Sequence, residues 1–125
     1  MSKLRQEIKA SMQALEQLSD LKTCARFIFT KKFIGFKGHF PARPILPGVC
    51  KIQAALLMLE ERKHKQIRLV EIILAKFFAP ATFNQELIFN LEEHPKNNSE
   101  STINVKINCA EQKIAELQLK VNILA

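Results

Sequence analysis

Hydrophobic positions along this chain follow two periods, and the change from one to the other outlines the architecture. Near the start, Leu4, Ile8, Met12, Leu15 and Leu18 recur at helical spacing, with good helix formers between them. The same stretch alternates through Ile8, Ala10, Met12 and Ala14, so a short helix followed by a strand fits residues 3–18 as well. Ser19-Asp20 is a turn signal. Over residues 21–30, Leu21, Thr23, Ala25, Phe27 and Phe29 share one face, and Lys22, Arg26 and Thr30 largely share the other. That predicts a strand with one buried face. Residues 47–63 predict a helix, with Pro47 in its first turn, where a missing N–H costs nothing. Hydrophobic residues surround its first three turns, which implies burial on most sides. Its far end is charged, and the basic residues there suit the helix dipole. Beyond it the period becomes two. Residues 67–79 are a long apolar run rich in β-branched and aromatic residues, ended by Pro80. Leu87, Phe89 and Leu91 alternate with Ile88, Asn90 and Glu92, and residues 95–99 form a strong turn. Ile103, Val105, Ile107 and Cys109, then Ala115, Leu117, Leu119, Val121 and Ile123, repeat the alternation. Each is a strand with one packed and one wet face.

The sum is an α+β chain: one long, almost wholly apolar helix and an antiparallel sheet of about five or six strands. The apolar face of that sheet must cover something, and wrapping it around the helix buries both. This is the hot-dog fold. With 125 residues and no repeat, linker or low-complexity tract, the chain reads as a single domain over residues 1–125. A chain of this size buries enough surface to fold without a metal or disulfide.

Composition narrows the setting. Cys24, Cys50 and Cys109 are odd in number and widely spaced, with no CxxC and no Cys/His cluster at zinc spacing. No metal site and no disulfide framework are expected, and a reducing cytoplasm fits. The first residues lack a signal-peptide core, and no run approaches the roughly 20 apolar residues of a membrane span. A cytoplasmic protein without membrane insertion follows. The net charge of +7 comes from Lys and Arg spread along the whole chain. No basic block is interleaved with aromatics, so a nucleic-acid partner is not expected. A solvated surface or an acidic protein partner accounts for the charge.

The candidate chemistry sits just ahead of the long helix. Gly38-His39-Phe40-Pro41-Ala42-Arg43-Pro44-Ile45-Leu46-Pro47-Gly48-Val49 is a constrained loop carrying one of only three histidines. This stretch resembles the GHFP-x-x-P-x-x-PGV signature of the hot-dog 3-hydroxyacyl-acyl-carrier-protein dehydratases, with every fixed position in register. Ala75-Lys76-Phe77-Phe78-Ala79-Pro80 is similar to that family's K-F-x-x-P strand, and Gln85-Glu86-Leu87 stands where the family has D-Q-L. The likeness covers about residues 25 to 124 and is strong over residues 38–49.

The resemblance implies a hydro-lyase acting on acyl thioesters, without a cofactor, in fatty-acid or related lipid and polyketide synthesis. It implies a homodimer or a trimer of dimers with sites at the dimer interface. By resemblance His39 is the base that removes the proton beside the thioester carbonyl, a task its near-neutral pKa suits. The Gly48 N–H would polarise that carbonyl, as an unpaired first-turn donor at the positive end of a helix can. Phe40, Pro47, Val49 and Leu57 are the accompanying substrate-binding candidates. Lys31, Lys32, Lys37 and Arg43 flank the motif and are candidates for docking an acidic carrier protein.

The chain departs from the family at the acid. That residue lies fourteen positions after the histidine, which is Gln53 here, and a family amide one turn further on is Leu57. An amide holds a hydroxyl or water but gives up no proton as a carboxylic acid does. The proline, glycine and acid of the turn after Pro80 become Phe83, Asn84 and Gln85. Two other readings therefore stand beside the dehydratase: a hot-dog thioesterase or hydratase in which His39 and Gln53 position water, and a catalytically impaired acyl-binding subunit. Either substrate carrier, acyl carrier protein or coenzyme A, fits. Glu60 and Glu61 lie about two turns beyond Gln53, too far to replace the acid. His64 and His94 read as solvated, Cys50 as an inert core thiol, and Phe36, Phe40, Phe77 and Phe78 as core with some walling an acyl tunnel.

Overall fold

The computed structural model describes residues 2–37 and 44–124. The first segment resolves the ambiguity at the start of the chain: helix α1 (Lys3–Ala10) is followed directly by strand β1 (Met12–Gln17). The Ser2 hydroxyl caps α1 by accepting the Arg5 N–H, and the Ser11 hydroxyl closes it by donating to the Glu7 carbonyl. Strand β2 (Lys22–Ile28) follows, with Thr23, Ala25 and Phe27 buried as the alternation predicts.

The long helix α2 runs Gly48–Lys63, so Pro47 is its N-cap rather than a residue of its first turn. It ends where His64 turns left-handed, at φ 55°, and donates its N–H to the Glu60 carbonyl. Four longer strands complete the chain: β3 (Ile67–Phe77), β4 (Glu86–Pro95), β5 (Glu100–Cys109) and β6 (Gln112–Ile123). They join β1 and β2 in a six-stranded antiparallel sheet of order β1-β2-β4-β5-β6-β3. The inner faces of β2, β4, β5 and β6 close on α2 in one core, to which residues 54–59 of the helix contribute continuously. Phe27, Phe29 and Phe89 stack at one end of it, with Phe33 and Phe36 beyond. This is the α+β hot-dog fold.

Salt bridges from Arg5 to Glu60 and from Lys9 to Glu61 dock α1 onto the second half of α2. The Glu60 carboxylate also accepts the Ile67 N–H and so anchors the start of β3. Both glutamates are thus structural, in keeping with their distance from the acid position.

Strand β3 differs from the others. It sits at the edge of the sheet, with β6 on one side and no strand on the other among the described residues. Two irregularities in its pairing with β6 fall at Val70 and Ile73. Val70, Ile72, Ile73 and Leu74 are all exposed, so this apolar run covers none of the protomer's own core.

Candidate functional site

The residues just before α2 are pinned to the segment that follows β3. The Leu46 N–H donates to the Ala81 carbonyl at 2.7 Å, and the Thr82 hydroxyl donates to the Pro44 carbonyl at 2.6 Å. Residues 82–85 hold their own turn. The Gln85 side-chain oxygen accepts the Thr82 N–H, and Asn84, at φ 60°, donates its N–H to the Phe29 carbonyl. Asn is among the few non-glycine residues that tolerate the left-handed region, and a Gln oxygen can accept what a carboxylate would. The altered turn residues therefore still build a turn.

These bonds set the start of α2 against the end of β3 and leave a cleft of about 480 Å³ between them. Ile45, Leu46, Pro47, Gly48 and Lys51 form one wall, and residues 77–80 form the other. The Pro47 carbonyl accepts the N–H groups of Cys50 and Lys51, so those of Gly48 and Val49 have no acceptor within the helix. A Cβ at Gly48 would lie 2.8 Å from the tip of the Phe77 ring, so a side chain there would make that half-exposed ring shift. Phe77 and Phe78, read from the sequence as core or as walls of an acyl tunnel, are 50% and 49% exposed. They lie at the end of the edge strand, where no second layer covers them among the described residues, and they wall the cleft.

The predicted site residues separate into groups. Pro47 and Gly48 line the cleft, while Val49 points away from it and is exposed. Gln53 is half-buried further along α2, and Leu57, one turn beyond it, is fully buried in the core. Lys31, Lys32 and Lys37 are exposed, with the Lys31 ammonium over the Phe83 ring. His39, Phe40 and Arg43 lie outside the described residues. His64 and His94 are exposed.

One cleft residue was not singled out from the sequence. Lys51 is 3% exposed, and its ammonium lies 5.0 Å from the centroid of the Phe77 ring. Burial holds its amine below the ordinary lysine value. The only signal was its place three residues after Gly48, which on a helix is the same face. Beside it, burial pushes the Cys50 thiol up to about 11, against a smaller opposing pull from Lys51. Cys50 is therefore expected to resist iodoacetamide in the native protein at neutral pH and to react only after denaturation. Mass mapping of the alkylated cysteines checks this; rapid native labelling of Cys50 would contradict it.

A hollow of similar size, about 470 Å³, lies on the side of the sheet away from α2, lined in part by Leu18, Lys22, Glu92, His94 and Asn104. Four of its polar groups pair with one another, Lys22 with Glu92 and His94 with Asn104 and Glu92. No helix terminus opens into it, so the α2 cleft is the better candidate. Among the described residues no group of three His, Cys, Asp or Glu side chains could hold a metal ion, and no helix is long and apolar enough to cross a membrane.

Residues 14–118 match the model of the ApeI-like family, described as ApeI dehydratase. No curated protein sequence matches the chain. Among solved structures, the dehydratase heterocomplex ApeI:P of Xenorhabdus doucetiae is similar with a TM-score of 0.73 at 19% identity, over 89% of this chain and 96% of that one. A sigma28-regulated virulence protein of Campylobacter jejuni gives 0.72 at 13% identity, over 98% and 96% of the two chains. A hypothetical thioesterase of Streptococcus pneumoniae, solved with coenzyme A, gives 0.71 at 6% identity, over 98% and 94%. At these identities the likenesses establish the fold.

Proposed function

Because this chain belongs to the ApeI-like dehydratase family, we propose that it removes water from 3-hydroxyacyl thioesters carried by an acyl carrier protein or coenzyme A. Gly48 carries the reading. It places unpaired N–H groups at the positive end of α2, in an apolar cleft next to the dehydratase signature. A thioester oxygen held there gains stabilisation as it becomes an enolate oxygen. His39 takes the proton beside the carbonyl, the 2-enoyl double bond forms as the carbon–oxygen bond breaks, and the protonated His39 passes that proton to the departing hydroxyl, which leaves as water. Gln53 holds that hydroxyl by hydrogen bonds without supplying a proton. Lys31, Lys32, Lys37 and Arg43 dock the acidic carrier, and Phe40 and Pro47 shape the acyl site.

The protein works in the cytoplasm as a homodimer or trimer of dimers. The free edge of β3 supports this: an unpaired, apolar edge strand is an aggregation hazard unless something covers it. Pairing with β3 of a second copy removes the edge and buries Val70, Ile72, Ile73 and Leu74. The double substitution Ile72→Lys, Ile73→Lys is expected to yield a monomer, read by light scattering on a sizing column. A wild-type protein that is itself monomeric at micromolar concentration would overturn the dimer.

Gln53 favours a second reading, in which the chain is a hot-dog thioesterase or hydratase, or an impaired acyl-binding subunit that needs an active partner. Incubation with 3-hydroxyacyl carrier-protein thioesters separates these. Formation of 2-enoyl thioester supports the dehydratase, and release of free thiol supports the thioesterase. Neither product, with acyl binding retained, supports the impaired subunit.

A further inference from the structure

The cleft contains one charge that the reaction outlined above does not use. Lys51 is 3% exposed and belongs to the first turns of α2, where the helix dipole disfavours a cation. Among the described residues no carboxylate pairs with it; the ion pairs of this protein lie elsewhere. Its neighbour Cys50 supplies no countercharge, because a thiol titrating at about 11 is protonated at neutral pH. What faces the ammonium is the Phe77 ring, which also covers Gly48. A cation–π contact is worth about 0.5–2 kcal/mol, less than a charge-assisted hydrogen bond to an anion would add. The side chain is thus held in the cleft with its ammonium at the mouth and no carboxylate beside it among the described residues.

The same cleft already offers unpaired backbone donors at Gly48, and Lys51 lies on the same helix face. Both kinds of group favour negative charge. We propose that Lys51 is the anion-binding residue of this cleft, holding the negatively charged oxygen of an acyl ligand whose carbonyl end sits at the Gly48 N–H. At rest that ligand class is a fatty carboxylate. During turnover it is the enolate of the acyl thioester, so the inference rests on the thioester reading above and adds to it a second source of enolate stabilisation. The walls formed by Ile45, Leu46, Phe77 and Phe78 accommodate the apolar chain, and the one cation marks the end where the charge belongs.

Calorimetric titration with octanoate and with neutral octanamide tests this on wild type, Lys51→Met and Lys51→Arg. Octanoate should bind the Met variant at least about tenfold more weakly and the Arg variant within about threefold of wild type, while octanamide binding changes less than about twofold in either variant. Equal octanoate binding by wild type and Lys51→Met, or no octanoate binding by wild type, overturns the proposal. The melting temperature of Lys51→Met without ligand should hold or rise, because a largely buried side chain with no carboxylate partner is replaced by an apolar chain of similar length. A fall would make Lys51 a structural contact of Phe77 and would also overturn the proposal. The enoyl-product assay is a separate measurement. Octanoate binding that depends on Lys51 without enoyl product removes the dehydratase reading alone, and enoyl product with unchanged octanoate binding removes this inference alone.

Discussion

Replacing Glu93 with alanine is expected to lower folding stability by about 3–5 kcal/mol, the usual loss when one member of a buried ion pair is removed. Glu93 is 1% exposed on the inner face of β4. Its carboxylate meets Arg62 Nη1 at 2.7 Å and Lys63 Nζ at 2.8 Å, both from the last turn of α2. Arg62 continues the network by donating to the Asp20 carbonyl at 2.7 Å, and the Glu93 N–H donates to the Leu21 carbonyl at 2.8 Å. The carboxylate therefore ties the C-terminal end of the helix, the β1–β2 turn and the sheet together. Removing it leaves two cations, one of them largely buried, with no anion. Glu93→Gln keeps the shape and removes only the charge, so it should recover a minority of the loss. Urea unfolding of the three proteins gives the comparison, and a change below about 1 kcal/mol for the alanine variant would show that solvent already screens the pair.

Substituting His39 by alanine is expected to lower the dehydration rate by about 10²–10⁴-fold, the usual contribution of a positioned general base. The stability of this variant should stay close to that of the wild type, which separates lost chemistry from lost fold. Steady-state rates on a 3-hydroxyacyl carrier-protein thioester, with melting curves of the same preparations, make the measurement. An unchanged rate would remove His39 from the role of base. Gln53→Glu is the complementary change, because it restores a group that can give a proton to the departing hydroxyl. Its rate should rise, and a fall would mean that the site is built around an amide.

Much of the fold was legible because burial leaves a period. The alternation in β2, β4, β5 and β6 marks their inner residues one by one, and the apolar girth of α2 announces a helix enclosed by sheet. Glu93 shows where that legibility stops. Its position continues the inner-face series Leu87, Phe89, Leu91, but an acid there makes sense only once Arg62 and Lys63 are seen to reach it. At the start of the chain two periods overlapped, and local pattern could not choose between them. The choice of a short helix followed by a strand rests on pairing of β1 with β2 and docking of α1 on α2.

The candidate site divides in the same way. The signature around His39 and Gly48, and the amide in place of the family acid at Gln53, are properties of the sequence alone: residue identity and spacing are enough to state them. So is the helix start at Gly48, whose unpaired N–H groups follow from any helix beginning there. Distances across the chain are not encoded in spacing, and the rest needed the tertiary structure. Only the folded chain brings Phe77 over Gly48, places Phe78 on a cleft wall rather than in the core, and leaves β3 an uncovered edge. Only there does Lys51, the cation of the first turns of α2, prove to be largely buried beside Gly48 with no anion among the described residues, because its surroundings come in part from a strand that begins sixteen residues later in the chain.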